Sequence, residues 1–91
     1  MATIRVESTG DSQYRVSVDD RGTRTNHVVT ATPQDVARYA PDTTPERLIE
    51  ASFEFLLERE PATSILPSFA LLVIERYFPE YPKAIRAQLR T

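Results

Sequence analysis

Two segments within the first thirty residues alternate apolar and polar side chains with a period of two, which is the pattern of a β-sheet with one solvated face. Residues 3–8 and 13–19 show it most clearly, with apolar side chains at Ile4, Val6, Tyr14, Val16 and Val18. Gly10-Asp11-Ser12 between them has the composition of a hairpin turn, in which glycine accepts a positive φ. A second turn at Asp20-Arg21-Gly22 precedes a third predicted strand, residues 24–30. The sequence therefore predicts an antiparallel meander of two to three strands.

Helix signals replace the strand pattern from Thr32 onward. Thr32 can cap a helix that has Pro33 at its first position, where the missing N–H costs nothing. Because proline interrupts a helix, this short helix should cover residues 33–39 and stop before Pro41.

A second, longer helix is predicted from Pro45 to about residue 59. Thr44 is its expected cap, and Thr43 with Glu46 forms an alternative capping box shifted by one position. One broad face is apolar, which is typical of a helix packed on a core, and consists of Leu48, Ile49, Phe53, Phe55 and Leu56. On the opposite side four glutamates recur every fourth residue and form what we call the glutamate ridge: Glu46, Glu50, Glu54 and Glu58.

The rest of the chain predicts two further helices. Within residues 64–77, the stretch 69–74 is apolar almost all round, which predicts a helix buried on most sides. Pro67 divides the segment into a turn at residues 65–66 and a helix from about Ser68. A break at residues 78–82 precedes a last helix, from about Pro79 to Leu89. We therefore predict one α+β domain over residues 1–91, in which an N-terminal antiparallel two- to three-stranded β-meander (residues 1–30) is followed by three to four helices (residues 33–91) packed on one face.

The chain lacks the residue combinations that common enzyme mechanisms require. Its one histidine, His27, lies on a predicted strand, where a surface or edge position is expected. There is no cysteine, and Asp19-Asp20 lacks the regular oxygen ligands of a calcium loop. Both glycines lie in predicted turns, so no glycine-rich loop can hold a phosphate. We therefore predict no catalytic, cofactor-binding or metal site, and a protein that is not an enzyme.

Charge and hydropathy limit the partners. Thirteen acidic against eleven basic residues do not make the basic surface of a general nucleic-acid binder. The longest apolar stretch, residues 69–74, is far too short to span a membrane, and the first ten residues lack a signal-peptide pattern. The lack of cysteine fits a reducing compartment. These features predict a cytoplasmic protein without a membrane partner, and they argue against nucleic acid as its partner.

Two features can contact a protein partner. The glutamate ridge can dock on a basic partner, or it can be a solvated face without a partner. Tyr77 and Tyr81 can form an exposed aromatic patch, because tyrosine is enriched at interaction hot spots, or they can close the core together with Phe78. We take the ridge, Tyr77 and Tyr81 as the candidate interaction surface. Self-association is a further expectation, because a chain of 91 residues buries only a small core.

Three segments of the C-terminal half resemble a group of short bacterial proteins of uncharacterised function. They are ASFEFLLEREP (residues 51–61), SIL (residues 64–66) and RYFPEY (residues 76–81). This resemblance implies a small bacterial protein and carries no activity with it.

The order of predicted elements over residues 24–60 is similar to ribbon-helix-helix DNA-binding proteins. It runs from a strand through a short helix to a capped long helix containing LIEASFEFLLERE. In that family two chains pair their strands into a ribbon that enters the major groove of DNA. The resemblance implies base contacts from Arg24, Asn26 and Val28, or from the alternate set Thr25, His27 and Val29. The strand holds one arginine and no lysine, which gives little attraction to phosphate.

The sequence thus leads to two main hypotheses about function, beside a third in which the chain is a subunit or accessory piece of a larger assembly. The first is a small non-catalytic binding or regulatory protein that acts through protein–protein contacts or self-association. The alternative is a ribbon-helix-helix-like dimeric DNA-binding regulator. The pairing of residues 24–30, within the chain's own sheet or across a dimer, distinguishes the two.

Overall fold

The structure is a computed structural model that describes residues 2–89. Within them the chain forms β1 (Thr3–Gly10), β2 (Gln13–Asp20), β3 (Thr23–Thr30), α1 (Pro33–Tyr39), α2 (Pro45–Leu57), a 3-10 turn (Ala62–Ser64), β4 (Ser68–Ala70), α3 (Val73–Tyr77) and α4 (Tyr81–Leu89). The predicted α+β class is confirmed. No helix in this part of the chain is long and apolar enough to cross a membrane. Met1, Arg90 and Thr91, which the predicted domain includes, lie outside the described residues.

The predicted meander is present with all three strands. β1 pairs antiparallel with β2, and β2 pairs antiparallel with β3. In the second turn Arg21 and Gly22 have φ of 55° and 83°, and two positive φ values in a two-residue turn suit the twist of a hairpin. In the first turn the positive φ, 61°, lies on Ser12 and not on Gly10. Gly10 instead ends a bulge in β1, since the register shifts between Ser8 and Gly10.

β4 replaces the start of a predicted helix. The expectation of a helix from Ser68 is wrong, because residues 68–70 form a short strand parallel to the end of β3. The Val28 N–H donates to the Pro67 carbonyl at 2.8 Å, and the Leu71 N–H donates to the Thr30 carbonyl at 2.9 Å. Pro67 lacks an N–H but keeps its carbonyl acceptor, so it suits the beginning of an edge strand.

Both predicted helix starts are confirmed by their caps. At α1 the Asp35 N–H donates to Thr32 Oγ1 at 3.2 Å, and the Thr32 N–H donates to the Asp35 carboxylate at 3.0 Å. At α2 the cap is Thr44, whose hydroxyl accepts from the Arg47 N–H at 3.1 Å. The alternative cap one position earlier is therefore not the one that forms. α2 ends at Leu57, slightly before the predicted end.

The strands form one sheet in the order β1-β2-β3-β4, and the helices cover one of its faces. α2 lies between this sheet and α4. On the sheet side the Phe53 ring packs 5.3 Å from the His27 ring and 6.0 Å from the Phe69 ring. On the α4 side Phe55 packs edge-on against Tyr81, with ring centroids 5.3 Å apart. Because both sides of α2 are covered, this helix supplies the centre of the core and leaves only a narrow exposed strip.

Candidate functional site

An apolar groove of about 260 Å³ opens on the β4 side of the molecule. The end of α2, the segment that leads into β4, and α3 form its walls. Its apolar lining consists of Leu56, Ile65, Leu66, Phe69, Val73, Ile74, Tyr77 and Phe78, and Glu60 and Ser64 complete it. With so few polar groups in its wall, the groove is suited to an apolar group rather than to a charged ligand.

Two side chains of the lining are unusually exposed for their size. Leu66 is 44% exposed and Tyr77 is 68% exposed. They come from different segments of the chain, and together they form what we call the apolar rim of the groove. Exposed apolar surface of this kind, rimmed by polar residues, marks interaction sites in soluble proteins. The sequence predicted surface exposure for Tyr77 but contained no signal for Leu66.

The backbone under the rim is held by His27. Its Nδ1–H donates to the Leu66 carbonyl at 2.8 Å, because a carbonyl oxygen can only accept. In the neutral ring Nε2 then accepts from the Thr25 hydroxyl at 2.9 Å. His27 is 2% exposed and packs on Phe53. The expected surface or edge position for His27 is therefore wrong, and the residue instead fixes the groove wall to β3.

Glu60 introduces negative charge into the groove. The neighbouring Arg59 does not neutralise it, because the Arg59 guanidinium lies 3.6 Å from the Phe55 ring centroid and pairs with Glu80 at 3.5 Å and with Glu58 at 3.5 Å. Among residues 2–89, Glu60 makes no ion pair of its own. The groove therefore combines an apolar lining with one unpaired carboxylate.

The glutamate ridge is partly neutralised by arginine. Arg47 lies 3.1 Å from Glu50 and 3.6 Å from Glu54, and Glu58 pairs with Arg59. Exposed ion pairs of this kind contribute little stability, and they lower the net charge that the ridge presents. The structure brings the ridge and the groove to the same helix but not to one surface patch, since none of the ridge glutamates lines the groove. Docking on the ridge stays a prediction.

Tyr77 and Tyr81, which the sequence placed in one candidate surface, lie in opposite environments. The assignment of Tyr81 to a surface is wrong, because Tyr81 is 0% exposed. Its hydroxyl donates to Ser52 Oγ at 2.6 Å, since Ser52 itself donates to the Leu48 carbonyl at 2.7 Å. This hydrogen bond allows the polar end of Tyr81 to be buried, and burial raises the pKa of the phenol.

β3 places the two candidate DNA-facing sets on opposite faces. The exposed set lies on the open face of the sheet and consists of Arg24, Asn26 and Val28; the other set is turned toward the helices and consists of Thr25, His27 and Val29. β2 pairs with the whole of β3, and β4 pairs with its last residues. The chain's own sheet therefore uses one edge of β3 completely, and the other edge at Val28–Thr30. The structure adds no support for the DNA-binding alternative, which stays a prediction.

A hydrogen-bonded cluster joins α1, α3 and α4. The Tyr39 hydroxyl donates to Glu75 Oε1 at 2.7 Å, Arg38 pairs with the same carboxylate at 3.3 Å, and Arg86 donates to the Arg38 carbonyl at 2.8 Å. Burial, together with the bond to Glu75, raises the pKa of Tyr39 to about 12, and the same bond holds the pKa of Glu75 below its usual value. The cluster ties helices together. The only signal for it in the sequence is a glutamate that follows an apolar run.

Comparison with known proteins does not identify the chain: no protein-family model, no curated protein and no solved structure matches it. Within residues 2–89, no group of three or more histidine, aspartate and glutamate side chains is placed to hold a metal ion. In the same part of the chain every buried side-chain nitrogen or oxygen atom has a hydrogen-bond partner. The groove is therefore the feature from which a function can be argued.

Proposed function

We propose that this chain is a small binding protein that acts through contact with another protein rather than through catalysis, and that the groove receives an apolar side chain of that partner. The observation that carries the proposal is the apolar rim, where Leu66 and Tyr77 stand exposed beside a preformed apolar groove. Aromatic residues next to a pocket are a common source of binding energy at protein interfaces.

The size of the groove favours a side chain over a free small molecule. Its volume of about 260 Å³ is below the range of roughly 300–1,000 Å³ that is usual for ligand pockets. One large apolar or aromatic side chain, carried by a protein segment that also covers the rim, fits this space. The carboxylate of Glu60 adds a preference for a basic residue next to the anchor.

The groups most suited to chemistry are already engaged in the core. Ser52 bonds to the Leu48 carbonyl and to Tyr81, and both ring nitrogens of His27 have partners. Ser52 and His27 are buried, and neither lines the groove. This arrangement supports a binding role better than a catalytic role, because a catalytic serine or histidine must reach its substrate.

A random peptide library displayed on phage tests the proposal with a defined probe. Peptides selected on the wild-type chain should share an aromatic or aliphatic anchor and shift the amide NMR signals of residues that line the groove. Tyr77→Ala and Leu66→Ser should each weaken these peptides at least tenfold, which corresponds to about 1.4 kcal/mol. Ser64→Trp should block the same peptides by filling the groove.

Arg76→Ala is the matched control, because Arg76 is an exposed neighbour of Tyr77 on α3 and does not line the groove. It should leave peptide affinity unchanged. The proposal is wrong if the selected peptides bind the Tyr77 and Leu66 variants as tightly as the wild type, or if their contacts map to another face of the protein.

A further inference from the structure

β1 is a long edge strand whose outer side is open. It pairs with β2 on one side, and no strand within residues 2–89 lies on the other. At eight residues it is longer than the usual strand of about five to six. An unpaired edge of this length is a template for another strand, and natural proteins commonly block it with proline, lysine, inward-pointing charge or a bulge.

Apart from the charges of Arg5 and Glu7, which disfavour pairing with a strand of unmatched charge, the section of β1 from Thr3 to Ser8 carries none of these blocks. It contains neither proline nor lysine, and its two apolar side chains that face the helices, Ile4 and Val6, are uncharged and only half-buried. The bulge of β1 lies beyond this section, between Ser8 and Gly10. Between Thr3 and Ser8, β1 thus has an open edge without proline, lysine, inward-pointing charge or bulge.

The direction of the free backbone groups follows from the register of the sheet. The Val28 N–H points to β4, where it donates to the Pro67 carbonyl at 2.8 Å. Backbone groups of successive residues in a strand point to opposite sides, and residues that pair through hydrogen bonds exchange both of them. In the β2–β3 register, the even-numbered residues of β2 therefore point to β3, and its odd-numbered residues point to β1. In the β1–β2 register, this leaves the N–H and C=O of Ile4, Val6 and Ser8 on the open edge of β1.

We propose that two copies of this chain associate through β1, antiparallel and centred on Val6, so that their two sheets become one continuous sheet. Val6 then pairs with Val6 of the second copy, and Ile4 pairs with Ser8. Every free backbone group between Ile4 and Ser8 gains a partner in this register, and the half-buried side chains of Ile4 and Val6 gain apolar cover.

Charge selects this register over its neighbours. Centring on Val6 places Arg5 of each copy opposite Glu7 of the other, on the open face of the sheet. Directly opposed unlike charges stabilise an antiparallel pair, and like charges destabilise it. A shift of the centre to Arg5 would oppose two arginines, and a shift to Glu7 would oppose two glutamates. Glu7 also lies opposite Arg15 within its own chain, so charge alternates across the junction.

The second copy approaches along the open edge of β1. α2 packs on the helix-covered face of β1, so that face is unavailable, while the side chains of Arg5 and Glu7 are exposed. The interface is separate from the apolar groove, because no residue of β1 lines that groove.

Sedimentation equilibrium of the full chain and its variants tests the proposal. The wild type should be a dimer at high micromolar concentration, and Val6→Pro should be a monomer with an unchanged circular dichroism spectrum. Proline removes an N–H that β2 does not use, so the fold should persist while the interface loses two hydrogen bonds, one from each copy, and gains a steric block. Val6→Thr is the matched control: it keeps the N–H and the β-branched shape, and it should remain a dimer.

A charge-complementation experiment fixes the register. Arg5→Glu alone and Glu7→Arg alone each oppose like charges in a homodimer, so each should dissociate at least tenfold more readily than the wild type. An equimolar mixture of the two variants should form a heterodimer, because each mutated charge then meets an unlike one. This rescue is independent of any loss of folding stability in a single variant.

Three results would overturn the proposal. They are a wild-type chain that stays monomeric at millimolar concentration, a Val6→Pro variant that stays dimeric, and a mixture that associates no better than its separate components. Tyr77→Ala should not change the oligomeric state, so failure of the groove proposal and failure of the β1 proposal give different results.

Discussion

The two edges of the sheet are built in different ways. β1 is eight residues long and pairs antiparallel with the strand that follows it, after a turn of two residues. β4 is three residues long and pairs parallel with β3, after a connection that contains α1 and α2. The local sequence pattern is therefore sufficient to build β1, whereas β4 depends on packing that only the folded chain provides.

The largest expected effect is on the β4 side, at Phe53. Phe53→Ala should lower the free energy of unfolding by about 3–5 kcal/mol, because the ring is fully buried and packs between His27 and Phe69. Urea denaturation measures the change. Glu58→Ala, an exposed change on the same helix, should stay within about 0.5 kcal/mol of the wild type. A loss below about 1 kcal/mol for Phe53→Ala would show that this contact does not support the β4 edge.

A smaller effect is expected at the hydrogen bond that holds the groove wall. His27→Leu leaves the Leu66 carbonyl without its donor, and the loss of a part-buried hydrogen bond of this kind costs about 0.5–1.5 kcal/mol. Hydrogen exchange should accelerate at the Val28 and Leu71 amides, which bond across β3 and β4, and should not change along β1 and β2. Thr25→Val removes only the partner of the other ring nitrogen and should have a weaker effect. An equal acceleration of hydrogen exchange at β1 and at β4 would show that the two edges of the sheet are not stabilised independently.

The smallest effect at neutral pH concerns Tyr39, which ties α1 to the helix that follows β4. Its pKa is raised from 10.0 to about 12 in the folded chain, chiefly by burial. The folded state therefore holds the phenolic proton more tightly than the unfolded state, and this contribution to stability is present below pH 10 and is lost as pH rises toward about 12. Tyr39→Phe should reduce the alkaline loss of unfolding free energy without abolishing it, because the pKa of Tyr81 is raised too.

Tyr77→Phe is the control for this pH dependence, because Tyr77 is exposed and its hydroxyl makes no hydrogen bond within residues 2–89. Its unfolding profile between pH 9 and pH 12, followed by circular dichroism, should match that of the wild type. If Tyr39→Phe and Tyr77→Phe have the same alkaline unfolding profile, the raised pKa of Tyr39 does not contribute to the pH dependence of stability.

What the sequence could predict follows the same division. The meander, α1 and the start of α2 rest on signals within a few residues of each other, such as the Thr32 cap with Pro33. These local signals agree with the final packing, so the elements form where they are expected. The glutamate ridge was also correctly separated from the apolar face of α2, because a helical period defines both.

The errors concern residues whose environment is set by distant segments. Ser68 begins an apolar run that resembles a helix, but Pro67 and the free edge of β3 turn it into a strand. The two nitrogens of His27 meet the Thr25 hydroxyl and the Leu66 carbonyl. Thr25 is its neighbour on the same face of β3, but Leu66 is 39 residues away and cannot be inferred from the strand pattern. The groove combines three separate segments, so the sequence predicted only the exposure of Tyr77.

The parallel pairing of β4 has a consequence for the order in which the chain gains its two surfaces. A parallel pair needs a long crossover, and the entropy of closing that loop must be offset before the pair forms. β1 and β2, joined by a short turn, need no such closure, and they are synthesised first. A nascent or partly unfolded chain would therefore expose the β1 edge before it has a groove. Self-pairing through β1 would then precede partner binding. A partner would bind in the groove only after α2, β4 and α3 have packed together.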